Sequence, residues 1–63
     1  MRHVFEEVNL GSWSVVGYLK GNDIIFKAKH KSGRERYIKY RYDRYIEEIK
    51  TNYHEFVREK MQL

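Results

Sequence analysis

Lys27, Lys29 and Lys31 fall at every second position, and Tyr37, Lys39 and Arg41 repeat that spacing a few residues later. Residues two apart share a face of an extended chain. Together with Tyr18 these side chains therefore describe one surface, on which ammonium and guanidinium groups alternate with phenol rings. Such cations neutralise phosphates and release counterions, and exposed rings offer a base or sugar a flat partner. The expected partner is DNA or RNA, with Lys27, Lys29, Lys31, Lys39, Arg41, Tyr18 and Tyr37 as the contact set. Val16, Tyr18, Ile25 and Tyr37 also give this surface an apolar centre inside a charged rim, as protein contacts have. The alternative is a small regulatory or viral accessory protein that binds a partner protein, or dimerises, through the same face. A third reading is a solvated face whose lysines guard a sheet against unwanted pairing.

Other chemistry has little to work with. His3, His30 and His54 lie far apart with no pair at helical i, i+4 spacing, and cysteine is absent, so neither a metal site nor a cofactor is expected. No glycine-rich phosphate loop, nucleophile elbow or paired-carboxylate spacing occurs, and an enzyme is not expected.

The charge is segregated along the chain. Residues 20–42 carry eight basic side chains (Lys20, Lys27, Lys29, Lys31, Arg34, Arg36, Lys39, Arg41) against Asp23 and Glu35, whereas the segments before and after sum to −1 each. The net charge of +4 is thus concentrated in the middle of the chain, which suggests an acidic partner.

The elements that must position these groups follow from hydrophobic period. From Trp13 to Tyr42 apolar residues alternate with charged ones, and from Asp43 to Leu63 they recur every third or fourth position. Gly21-Asn22 suits a two-residue type II′ hairpin loop, because its first residue needs positive φ. That loop sets Lys20 opposite Asp23, Leu19 opposite Ile24, Gly17 opposite Phe26, Val15 opposite Ala28 and Trp13 opposite His30. A two-residue loop at Ser32-Gly33 would turn Lys39 and Arg41 into the core, which is costly. A three-residue loop, Lys31-Ser32-Gly33, with Gly33 at the left-handed position of a G1 bulge, instead places Ile38 opposite Phe26 and Tyr40 opposite Ile24.

The expected fold is α+β: a single domain over 1–63, with a small antiparallel β-meander of three strands, or four, packed on one C-terminal α-helix. The strands fall within 2–10, 13–20, 23–30 and 34–42, and the helix spans 43–61 with Asp43 as its N-cap. In the first segment a strand with Val4, Val8 and Leu10 inward also turns Glu6 inward, whereas Val4, Phe5 and Val8 suit one helical turn; of the two, a strand pairing at the sheet edge is expected. The expected core is Trp13, Val15, Leu19, Ile24, Phe26, Ile38, Tyr40, Ile46, Ile49, Tyr53, Phe56 and Val57. One helix covers one face, leaving the basic face in water.

Three strands followed by a packed helix, with Trp13 on the first, resemble over residues 13–57 the small DNA-binding domains of the tyrosine-recombinase arm-binding kind and the plant AP2 kind. Those lay a sheet on DNA; no residue motif is shared, and the likeness is one of shape. The longest apolar run is Ile24-Ile25-Phe26, far short of the ~20 residues that span a bilayer, and no signal-peptide core opens the chain. A soluble cytoplasmic protein with no membrane partner is expected. High charge without thermolabile excess leans towards a thermophilic source, and an archaeal or viral accessory role fits.

Overall fold

Two turns decide which side of every strand meets the core. The computed structural model describes residues 5–63. In it Gly21 adopts φ 62° while Asn22 stays at negative φ, so the loop is the expected type II′ turn. Gly33 adopts φ 102°, its N–H donates to the His30 carbonyl at 2.9 Å, and the His30 N–H donates to the Arg34 carbonyl at 2.8 Å. That is a three-residue loop closed by a G1 bulge.

The strands are β1 (Val8–Leu10), β2 (Trp13–Lys20), β3 (Asp23–His30) and β4 (Glu35–Arg41), followed by α1 (Tyr42–Thr51) and α2 (Tyr53–Met61). The sheet has the order β1-β2-β3-β4 with antiparallel neighbours throughout, so the α+β meander has its fourth strand at the edge. Gly17 stands opposite Phe26, Phe26 opposite Ile38 and Ile24 opposite Tyr40, in the register the loops imply.

Both helices lie on the face that carries Val15, Ile24, Phe26 and Ala28. These four join Val8, Ile49, Phe56, Val57 and Met61 in one buried cluster. Phe26 is fully buried, with the Phe56 and Tyr53 rings 5.9 and 6.2 Å away. Gly17 makes room for this stack: a Cβ there would stand 2.5 Å from the Tyr53 hydroxyl and 2.9 Å from Phe26 Cε1.

Several expectations are corrected. The single helix 43–61 is two helices, because Asn52 leaves the helical region at φ −150°, ψ 72°. Its own N–H closes α1 on the Glu48 carbonyl at 3.0 Å, and its side-chain oxygen accepts the Glu55 N–H at 3.4 Å to start α2. An Asx residue three before a Glu is a helix-start signature, and here it interrupts a continuous apolar stripe. Asp43 is not the N-cap. Arg41 holds that position without a side-chain cap, and Asp43 lies in the first turn. Ile46 is half-buried outside the core cluster, whereas Tyr45, at a kink with φ −117°, packs on Tyr40 and Phe56.

The first strand, Val8–Leu10, falls within the expected 2–10. Val8 pairs with Val15, and a straight continuation would set Glu6 opposite Gly17; instead the Phe5 N–H donates to the Gly17 carbonyl at 2.7 Å. This one-residue slip sends Phe5 into the core, stacked on Tyr53 at 5.1 Å, and leaves Glu6 and Glu7 exposed. The expected inward position of Val4, and the placement of His3, lie outside the described residues.

Candidate nucleic-acid interface

The face away from the helices is built as four cross-strand rows. Ser14, Lys29 and Glu35 form one, Val16, Lys27 and Tyr37 the next, Tyr18, Ile25 and Lys39 the third, and Lys20, Asp23 and Arg41 the last. The hairpin loops bring Lys27, Lys29, Lys39, Arg41, Tyr18 and Tyr37 together on this one surface. Lys31 differs: it belongs to the β3–β4 loop at the sheet's end, where its N–H donates to the Ser12 carbonyl at 3.1 Å.

Tyr37 is 59 % exposed. A phenol ring in water loses the benefit of burying its apolar area, which is why a large exposed aromatic is informative when cations surround it. The Lys27 ammonium lies 6.0 Å from the Tyr37 ring centre, at the outer limit of a cation–π contact. Val16, Tyr18 and Ile25 are half-buried in the middle of the face.

The cations are not equivalent. Lys27 Nζ stands 3.8 Å from Glu35 Oε2, and the Tyr37 hydroxyl donates to Glu35 Oε1 at 3.3 Å. Glu35 is directly opposite Lys29 in register, yet its carboxylate reaches the diagonal neighbour. Both partners are well exposed, so the pair holds Lys27 only weakly. Arg41 is gripped harder, donating through Nε and Nη2 to the two carboxylate oxygens of Asp43 at 3.1 and 2.9 Å. Those hydrogen bonds from the Arg41 guanidinium hold the Asp43 carboxyl below its ordinary pKa. Among the described residues no carboxylate lies within salt-bridge range of Lys29, Lys31 or Lys39.

One cluster escaped the sequence reading. At the sheet end bearing the β3–β4 loop, the Arg34 guanidinium lies 5.7 Å over the Trp13 ring, and the His30 ring meets Trp13 edge-on at 4.8 Å. His30 Nδ1 accepts the Ser32 N–H at 3.1 Å, which fixes the ring against its own turn. The pairing of Trp13 with His30 was readable from register; the Arg34 contact needed the bulged loop geometry. Among the described residues no three His, Asp or Glu side chains converge as metal ligands would. Among the same residues, no helix is long and apolar enough to cross a membrane.

No protein-family model, curated protein or solved structure matches the chain. The geometry of the sheet is therefore what speaks to function.

Proposed function

We propose that this chain is a binding module, without catalytic activity of its own, that takes DNA or RNA on the outer face of its sheet. The observation that carries the reading is the Tyr37 ring, 59 % exposed between Lys27 and Lys39 on a face that both helices leave open. Among the described residues Lys29 and Lys39 have no carboxylate within salt-bridge range, Lys27 is loosely held, and Tyr18 and Tyr37 supply stacking surface. Arg41 contributes less than its charge implies because Asp43 already occupies two of its donors. Lys31 sits at the end of this track, where a longer strand of nucleic acid would pass. The lack of cysteine suits a reducing compartment, and we place the protein in the cytoplasm.

The test is the double variant Lys27→Glu with Lys39→Glu. Both positions are outside the core, so its melting temperature should stay within a few degrees of the parent. Retention on a nucleic-acid column should be lost. A double variant that is retained like the parent overturns the proposal. Salt separates the competing reading: about four phosphate contacts imply a slope of roughly −3 to −4 in log K against log salt. A protein partner seated on Val16, Tyr18 and Ile25 would give a slope near zero.

A further inference from the structure

We propose that two copies of this chain join edge to edge through β4, antiparallel about Ile38, to form one continuous sheet. The two edges of the sheet are managed differently. β1 is three residues long, whereas β4 is a seven-residue strand without proline, in unbroken register with β3, and no described element pairs with its outer side. A long bare edge is a template for another strand.

The free hydrogen-bonding groups can be assigned. The His30–Arg34 bond turns Arg34, and with it Arg36, Ile38 and Tyr40, towards β3. Glu35, Tyr37 and Lys39 therefore point their amides and carbonyls outward.

Charged side chains usually stop such an edge from pairing, and β4 has four of them. Against a second copy they do the opposite. With Ile38 opposite the partner's Ile38, Glu35 meets the partner's Arg41, Tyr37 meets the partner's Lys39, and Arg36 meets the partner's Tyr40. Two ion pairs and four cation–aromatic pairs, related by the two-fold axis, flank a single apolar centre that lies on it.

Neighbouring registers are worse. Centring on Lys39 sets two ammonium groups face to face; centring on Tyr37 keeps an ion pair, Glu35 with the partner's Lys39, but loses the apolar centre, setting Arg36 against the partner's Ile38 and Arg41 against the turn residue Gly33. Registers between these turn the partner strand over. On the helix side, a groove of about 610 Å³ runs between β4 and the end of α2, lined by the charged Arg36, Glu59 and Lys60 as well as by Ile38, Tyr40 and Met61. It receives the partner's Ile38 and Tyr40 side chains.

The pairing stands apart from the nucleic-acid reading and is tested without nucleic acid. Because the chain has no cysteine, single-cysteine variants report the register. Facing residues of a non-hydrogen-bonded pair are about 4.5 Å apart at Cα, within disulfide reach. Under mild oxidation Ile38→Cys should cross-link, while Tyr37→Cys and Lys39→Cys, each two positions out of line with itself, should not. In sedimentation, the parent mass should rise from 7.8 kDa towards twice that over a dilution series reaching roughly 1 mM. Glu35→Arg or Arg41→Glu alone should weaken the dimer roughly five- to thirtyfold, and the two together should restore it. A parent that stays at 7.8 kDa throughout overturns the proposal. So do equal cross-linking at positions 37, 38 and 39, or a double reversal no tighter than the single ones.

Discussion

The two faces of the sheet are made by the same strands, residue by alternate residue, and differ in almost everything else. On the helix side Val15, Ile24, Phe26 and Ala28 are sealed from water; on the other, the alternate neighbours Val16, Ile25, Lys27 and Lys29 are not. Buried apolar surface is concentrated in one set and exposed charge in the other. Because side chains two apart share a face, the two properties can be altered separately within a single strand. Lys27 can change without disturbing Phe26 beside it.

The change with the largest expected effect attacks the sealed face. Phe26→Ala empties a fully buried site against Phe56 and Tyr53, and such truncations cost about 3 to 5 kcal/mol. For a 63-residue domain this is comparable to the whole stability, so circular dichroism should show an unfolded chain at room temperature.

Gly17→Ala tests the opposite fault on the same face. Its Cβ would intrude on the Tyr53 hydroxyl and the Phe26 ring, and overpacking of this kind costs about 1 to 3 kcal/mol. Adding Tyr53→Phe removes the nearer obstacle. Denaturant midpoints should then recover part of the loss, and no recovery would place the strain on Phe26 instead.

Tyr53→Phe by itself probes the one buried polar atom without a good partner among the described residues. Burial, helped by the charge of Glu6, pushes the Tyr53 pKa up to about 12 from 10.0. The Gly17 amide favours the ionised form, yet makes no hydrogen bond of good geometry with the hydroxyl. With a raised folded pKa, the unfolded chain ionises first. The stability this group contributes is whole below pH 10 and is lost as pH rises towards 12. The phenylalanine variant should match the parent's melting temperature at pH 7 and lose less of it between pH 10 and 12.

The smallest effect on folding, and a clear one on binding, belongs to the open face. Glu35→Gln frees Lys27 and removes a negative charge beside Tyr37. Its melting temperature should stay within about 2 °C, as for other exposed pairs, while affinity for an oligonucleotide at low salt rises. Unchanged affinity would mean that the Lys27 corner lies off the ligand's path.

The division into faces was legible in the sequence because it rests on period and on two glycine-bearing loops. Gly21-Asn22 and Lys31-Ser32-Gly33 set every register observed in β2, β3 and β4. The break at Asn52 was hidden because Ile49, Tyr53 and Phe56 keep helical spacing straight across it. A local competition for backbone amides, not the hydrophobic pattern, interrupts the helix there. The slip at Phe5 was hidden for a related reason: one extra residue changes parity without changing composition. In the candidate site, membership of the face was readable, whereas the partnering of its cations was not. Glu35 chose diagonal Lys27 over facing Lys29, and Asp43 took the Arg41 guanidinium where a free helix amide had been expected.

The outer flank of β4, which no described element pairs, should leave a signature in amide hydrogen exchange. Along this strand Arg36, Ile38 and Tyr40 are tied to β3, while Glu35, Tyr37 and Lys39 are not, so deuterium should enter in a stop-and-go rhythm, slow and fast at alternate residues. Capping that flank would slow the fast half of the rhythm and leave the slow half as it was.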